Sequence, residues 1–76
     1  MRVVIASVAE NLFAGEALSL SVPTTDGVVT ILPKHEPLVA TVAKGTATVK
    51  TATESRDFPV TDGVLEVSND QATVLL

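Results

Sequence analysis

Several residue types that carry chemistry are missing or scarce in this chain of 76 residues. There is no cysteine, which excludes disulfides and thiolate metal ligands. There is no tryptophan or tyrosine, and the five basic residues are scattered, so no basic stripe with stacking rings is available for nucleic acid. The single histidine cannot form a zinc site without other ligands at suitable spacing. We therefore predict no metal or other cofactor and no nucleic-acid partner.

Long apolar runs are also missing, and none approaches the length of about 20 residues that crosses a bilayer. Residues 1–6 begin like a signal peptide, but the apolar block stops at Ser7 and Glu10, which is too short for a secretory core region. We interpret it as a first strand and predict no direct membrane insertion. Apolar residues still make up 46% of the chain, with mean hydropathy +0.43, so we expect part of the apolar surface to face a partner.

Familiar catalytic patterns do not occur. Each of the four glycines stands alone, so none forms a phosphate-binding loop. No serine lies in the G-x-S-x-G turn that exposes a nucleophile. The residues alone do not exclude a catalytic pair of carboxylates, although any β protein has such groups near turns. The candidates are Glu16, Asp26, Glu36 and Glu66. Catalysis is the least favoured function, and we predict that the chain is not an enzyme.

What the chain does contain is abundant β-branched residues, with apolar residues alternating at a period of two. Turn signals separate these segments at a spacing of roughly 8–12 residues. The pattern predicts one all-β domain over residues 1–76, a flattened β-sandwich or barrel of about 8–10 short, mostly antiparallel strands. The predicted extended segments are 2–7, 16–22, 28–32, 38–42, 46–51, 56–60, 64–67 and 72–76. A further short segment, which begins at Phe13, is predicted to run back along the first.

Alternation also predicts which side chains face the core. In segment 16–22, Leu18, Leu20 and Val22 share one face, and Ala17, Ser19 and Ser21 the other. We expect Gly15 to break the preceding strand as a bulge or turn, and Pro23 to end the segment because proline cannot donate to a ladder. Pro59 marks its own segment as an edge strand. The residues predicted to face inward are Ala47, Val49, Leu65 and Val67, and Phe58 and Val60 share one face of their segment.

The stretch 24–39 holds the densest group of unusual residues. Asp26-Gly27 signals a turn, an apolar run follows, and residues 33–37 then contain two of the four prolines and the only histidine. Two fixed φ angles make this segment a stiff loop. The residues leave two readings of His35 open: a loop side chain packed on a flanking proline, or a contact at a partner surface. Lys34 and Glu36 are either solvated loop charges or members of a specific ion pair.

Five segments, taken in order, are Phe13–Glu16, Val22–Gly27, Ile31–Val39, Gly63–Val67 and Ala72–Leu75. In order and spacing they resemble the epsilon subunit of rotary F-type ATP synthases, over nearly the whole chain. The most specific segment is the third, which is similar to the family's Leu-Pro-Gly-His-Ala-Pro-Leu. The resemblance implies a flattened ten-stranded β-sandwich that acts as a non-catalytic rotor subunit.

The resemblance also implies partners and contact sites. In the central stalk of a proton-translocating ATP synthase, this subunit joins the gamma subunit to the c-ring, so that ring rotation reaches the catalytic head. The implied location is peripheral, at the cytoplasmic face of a bacterial inner membrane. By position, the gamma-subunit interface comprises Ser7, His35, Leu38, Val39 and Ala40, and the c-ring interface comprises Asp26, Gly27 and Val28.

This chain departs from the family's pattern at several positions. Lys34 replaces the usual glycine and Glu36 the usual alanine, which makes the histidine loop bulkier and more charged. Val28 and Thr30 stand where an acidic residue and a glycine are common, so Val28 offers no charged contact to the c-ring. Asp62 replaces the first glycine of a Gly-Gly pair.

Members of the family usually continue into a C-terminal two-helix hairpin that can inhibit the motor and, in some bacteria, binds ATP. Because this sequence ends at Leu76, we expect neither autoinhibition nor ATP binding by the chain. The alternative function is a free-standing β-sandwich module that binds a ligand or peptide. Its mark would be a pocket lined by convergent polar groups, of which the sequence offers few.

Overall fold

Nine strands and no helix make up the computed structural model, which describes every residue from Met1 to Leu76. The strands are β1 (Arg2–Ala6), β2 (Asn11–Glu16), β3 (Ser19–Thr24), β4 (Gly27–Ile31), β5 (Leu38–Val42), β6 (Gly45–Lys50), β7 (Ser55–Val60), β8 (Gly63–Ser68) and β9 (Gln71–Leu75). The all-β prediction is confirmed, with nine strands rather than the ten that the resemblance implied. Helices of the length and apolar character that would span a membrane are not present.

The strands form one curled sheet in the order β2-β1-β9-β8-β5-β3-β6-β7, with β4 paired only to β3. Every pair is antiparallel except β1 with β9, which run parallel. A single bridge between Thr24 and Val42 joins β3 to β5, while β3 also pairs with β4 and β6. The sheet therefore curls into a half-barrel with a first arm (β2, β1, β9, β8 and β5) and a second arm (β4, β3, β6 and β7).

The core lies between the two arms because alternate side chains of both turn inward. Fifteen buried apolar residues form a single cluster that draws on both arms. Ile5 and Leu65 of the first arm and Leu20 and Ile31 of the second are all fully buried. The predicted inward residues Ala47, Val49, Leu65 and Val67 are confirmed as buried, and Phe58 and Val60, predicted to share a face, are both buried as well. Pro59 lies in β7, which is an edge strand as predicted.

The predicted face of segment 16–22 is partly wrong. The chain breaks between β2 and β3, and the Ala17 N–H donates to the Met1 carbonyl at 2.8 Å while the Leu18 N–H donates to the Lys50 carbonyl at 2.7 Å. Because these bonds bend the backbone towards different neighbours, the alternation restarts at β3. Leu18 is therefore 58% exposed and does not share the buried face of Leu20 and Val22 as predicted, whereas Ala17 is buried.

Two predicted breaks are also misplaced. Gly15 lies inside β2, opposite Val3, and the irregularity of this pair falls between Ile5 and Ala6 instead. Pro23 does not end its strand, since β3 continues to Thr24. The Pro23 carbonyl faces β5 and accepts from the Ala43 N–H at 2.9 Å, so its missing N–H is also on that side. On that side β3 pairs with β5 through one bridge only. The missing N–H therefore takes no hydrogen bond away from the ladder between β3 and β4 on the other side.

The two ends of the curled sheet, β2 and β7, meet through side chains. Phe13 and Phe58 pack edge to face, with ring centroids 6.1 Å apart and an interplanar angle of 67°. The Arg56 guanidinium carbon lies 5.6 Å from the Phe13 centroid and 5.2 Å from the Phe58 centroid. We call these three residues the aromatic seam. It closes the side of the half-barrel that backbone pairing leaves open.

We expect Arg56→Ala to lower the free energy of unfolding by about 1 kcal/mol, because an exposed cation over an aromatic ring contributes about 0.5–1 kcal/mol. Urea unfolding of the variant and parent measures the difference. Arg2→Ala is the control, since it removes an exposed arginine that lies over no ring. Equal losses in the two variants would show that net charge, and not the aromatic seam, causes the effect.

Candidate docking surface

Ser7 and His35, two of the predicted gamma-interface residues, lie at opposite ends of the first arm. At the start of β1, the Arg2 N–H donates to the Asp70 carbonyl at 3.2 Å, and the Lys34 N–H donates to the Asp70 carboxylate at 2.7 Å. The loop that carries His35 is therefore beside the start of β1, whereas Ser7 follows its end. At about 3.3 Å for each of its five residues, β1 is about 17 Å long. A partner that contacts both residues must therefore extend along the whole length of β1.

The Ser7 side chain is engaged by its own turn. Its Oγ accepts from the N–H groups of Ala9 and Glu10 at 3.3 Å and 3.2 Å. The Ser7 N–H donates to the Glu10 carbonyl at 2.8 Å. These bonds fix the connection between β1 and β2 and leave Val8 fully exposed. Ser7 thus has a structural role whether or not a partner contacts it.

Leu38, Val39 and Ala40 alternate across β5 and do not share a face. Leu38 and Ala40 lie opposite Val67 and Leu65, and both are half-buried against the core. Val39 lies on the other face and is 71% exposed. Of these three residues, Val39 alone presents its side chain on the outer face of the first arm.

Strand register brings two further apolar side chains to this outer face. Val64 of β8 lies opposite Leu75 of β9 and opposite Thr41 of β5. The Thr41–Val64 pair is two residue pairs along from Val39 and its partner Glu66, and therefore lies on the same face. Val64 is 44% exposed and Leu75 is 55% exposed. We call Val39, Val64 and Leu75 the outer patch. Val64 and Leu75 were not among the predicted contact residues, although alternation against the inward Leu65 places Val64 outside.

Three hydrogen bonds shape the loop around His35. One is the Lys34 bond to Asp70 described above, and another runs from the His35 N–H to the Leu32 carbonyl at 3.2 Å. The third joins His35 Nδ1 to the Glu36 carbonyl at 2.6 Å, which requires a proton on Nδ1 because a carbonyl oxygen only accepts. The half-buried ring therefore keeps Nε2 for another partner. Lys34 and Glu36 are exposed and form no ion pair within the chain.

The predicted c-ring residues do come together, in the turn between β3 and β4. Buried Thr24 organises it, because its Oγ1 donates to the Gly27 carbonyl at 2.6 Å and accepts from the Asp26 N–H at 3.2 Å. Gly27 has φ 110°, in the region that favours glycine. Asp26 and Gly27 are exposed, and Val28 is 73% exposed. We call Asp26–Val28 the turn tip.

The turn tip is attached to the end of the first arm that carries Ser7. The Thr25 N–H donates to the Thr41 carbonyl at 3.0 Å, and from Thr41 the register runs through Val64 and Leu75 to Ala6. The outer patch therefore begins beside the turn tip and extends across the first arm. Backbone hydrogen bonds connect the two regions throughout.

A groove of about 200 Å³ lies elsewhere on the molecule. It is lined by Met1, Glu16, Ala17, Leu18 and Ala52, of which four are hydrophobic. One carboxylate does not make the convergent polar lining that a ligand-binding module would show. No three side chains of histidine, cysteine, aspartate or glutamate lie together as a metal site.

The family of the ATP synthase delta/epsilon chain, β-sandwich domain, matches residues 1–76. Similar curated proteins include the ATP synthase epsilon chains of Neisseria meningitidis serogroup C and of Herminiimonas arsenicoxydans, each 38% identical over 77 residues. Each alignment covers 99% of this chain and 55% of the relative. The chain thus spans about half the length of the curated relatives it matches.

Solved structures share the fold as well. A chain of the Tetrahymena thermophila mitochondrial ATP synthase central stalk and c-ring superposes with TM-score 0.84 at 14% identity, covering 97% of this chain and 60% of that one. A chain from the Euglena gracilis mitochondrial ATP synthase gives TM-score 0.88 at 17% identity, covering 96% and 48%. At such identities the superpositions show the fold alone. The family match over residues 1–76, with the epsilon-chain relatives, shows that this chain belongs to the β-sandwich domain family of the ATP synthase delta and epsilon chains.

Proposed function

We propose that this chain is a non-catalytic part of the central stalk of a proton-translocating F-type ATP synthase, where it joins the gamma subunit to the c-ring. The observation that carries the proposal is the outer patch. Val39, Val64 and Leu75 are exposed aliphatic side chains that adjacent strands bring together. A group of exposed aliphatic side chains on adjacent strands of a small domain fits a docking site for another protein. In a bacterium, the site of action is the cytoplasmic face of the inner membrane, peripheral to it.

The gamma subunit occupies the outer face of β5 and the loop before it. Val39 supplies the buried apolar contact, and the free Nε2 of His35 supplies a polar contact at the edge. Leu38 and Ala40 support this face from the core side, since both pack against the buried cluster. Ser7 acts indirectly, by holding the β1–β2 turn.

The c-ring occupies the turn tip, where Val28 gives an apolar contact and Asp26 the charge. A subunit that transmits torque between two partners must hold their contacts at a fixed separation. The Thr25–Thr41 hydrogen bond and the strand ladders of the first arm connect the turn tip to the outer patch. This function needs a stiff β-sheet and exposed apolar side chains, and no ionisable cluster.

Val39→Ser should weaken the complex with a cognate gamma subunit about tenfold, since burying a valine side chain contributes about 1.5 kcal/mol. Val64→Ser should weaken it by a similar or smaller factor, because Val64 is less exposed. Co-expression with gamma, native mass spectrometry and titration calorimetry provide the measurements.

Val28→Ser is the matched control, since Val28 is 73% exposed and Val39 is 71% exposed. It should leave gamma affinity unchanged and reduce retention of the gamma complex on detergent-solubilised c-ring. If the parent chain forms no stoichiometric complex with gamma, the proposed function is wrong. If Val28→Ser and Val39→Ser weaken gamma binding equally, the assignment of the two surfaces is wrong.

A further inference from the structure

Lys34 lies in a backbone conformation that disfavours lysine. Its φ is 64°, in the left-handed region where glycine has no steric cost and residues with a Cβ do. Because Lys34 directly precedes His35, its φ determines where the histidine is presented. Some other contact must hold this conformation in place.

Asp70 makes that contact. Its Oδ1 accepts the Lys34 N–H at 2.7 Å across a separation of 36 residues. The bond reaches the backbone and not the lysine ammonium, which pairs with no carboxylate. A charged acceptor at this distance forms one of the stronger kinds of hydrogen bond.

The position of Asp70 is itself fixed by three strands. Asn69 and Asp70 form the two-residue turn between β8 and β9, with φ 51° and 58°, as a type I′ hairpin requires. The Asp70 carbonyl accepts the Arg2 N–H of β1 at 3.2 Å. The carboxylate thus projects from the rigid end of the first arm towards the histidine loop.

We propose that Asp70 is a positioning residue for the gamma-docking loop: its carboxylate holds Lys34 in the left-handed conformation and so sets the presentation of His35. The assignment of this loop to gamma rests on the proposed function above. Asp70 acts through the Lys34 backbone and touches no partner. It therefore substitutes for the conformational freedom that a glycine at position 34 would supply.

Asp70→Gly tests the proposal, because glycine preserves the type I′ turn and the carbonyl bond to Arg2 while it removes the carboxylate. We expect amide exchange of Lys34 to accelerate about tenfold, the His35 ring resonances to shift, and gamma affinity to fall about tenfold, as for loss of one hydrogen bond to a charged group. Asp70→Asn is the matched control. It retains an acceptor oxygen in the same place, so its effects should stay within about threefold.

Lys34→Gly supplies the decisive comparison, since glycine adopts φ 64° without help. Asp70→Gly should change gamma affinity less than about threefold in the Lys34→Gly background, compared with about tenfold in the parent. This difference would show that the two positions are coupled. If Asp70→Gly leaves Lys34 exchange and the His35 resonances unchanged in the isolated chain, the positioning role is overturned. If both change while gamma affinity does not, positioning is supported and the assignment of the loop to gamma is overturned. Equal affinity losses from Asp70→Gly in both backgrounds overturn the coupling.

Discussion

Gly63→Ala should lower the free energy of unfolding by about 3 kcal/mol or more, the largest loss we expect from adding one methyl group to this chain. Gly63 begins β8 with φ 138°, a conformation that residues with a Cβ rarely adopt. A Cβ at this position would fall against the Leu75 carbonyl oxygen, and would lie 3.1 Å from both the Leu75 carbonyl carbon and the Leu76 Cα. These are backbone atoms of the last residue of β9 and of the residue that follows it, which cannot move aside as a flexible side chain can.

The loss is large on the scale of the whole domain. Native proteins are stable by roughly 0.05–0.15 kcal/mol per residue, so about 4–11 kcal/mol is expected here. Urea unfolding measures the change directly. Amide exchange at Leu76, whose N–H donates to the Ala6 carbonyl at 2.8 Å, reports whether the end of β9 has moved away from β1.

Two other glycines separate steric overlap from backbone strain. Gly27 has φ 110°, but an added methyl group there would have nothing within 4 Å, so Gly27→Ala should cost only the strain, about 1–2 kcal/mol. At Gly15 the methyl group would meet the Phe13 ring at 3.7 Å, an ordinary contact with no unusual φ, so Gly15→Ala should cost no more than about 0.5 kcal/mol. Equal losses at Gly63 and Gly27 would show that strain alone explains the sensitivity of Gly63.

Within a continuous strand, the sequence was sufficient to predict which side chains are buried. Ala47 with Val49 and Leu65 with Val67 are inward as alternation requires, because successive side chains of a strand point to opposite faces. Alternation carries no information across a break, however. The hydrogen bonds that bend the chain at Ala17 involve Met1 and Lys50, and nothing local in residues 16–22 specifies either partner.

The candidate surfaces were predictable to the extent that they are local in sequence. Asp26 and Val28 share one turn, so their proximity followed from the turn signal. The separation of Ser7 from His35 depends instead on the β1–β9 pairing and on the Asp70 hairpin. The outer patch likewise needs the register between β8 and β9, since an outward valine and an outward leucine become a patch only when they lie opposite each other. Such long-range register has no signature in composition or periodicity.

Leu20→Ala should destabilise the domain by about 2–5 kcal/mol, whereas Leu18→Ala should change its stability by no more than about 0.5 kcal/mol. Leu20 is fully buried and lies between Ile31 of β4 and Val49 of β6, both also fully buried, so truncation leaves a cavity where β3 joins β4 and β6. Leu18 stands two residues earlier and is 58% exposed, so truncation there removes little buried area.

Urea unfolding of the two variants, with the slope of the transition compared to the parent, measures both effects. An unchanged slope would show that the difference lies in stability and not in the compactness of either state. Because the two substitutions are chemically identical, their difference reports only on the environment that the backbone creates. Similar large losses at both positions would mean that one strand runs unbroken through residues 16–22 with Leu18 and Leu20 on the same face. A large loss at Leu20 alone would show that the break at Ala17 and Leu18 decides which leucine enters the core.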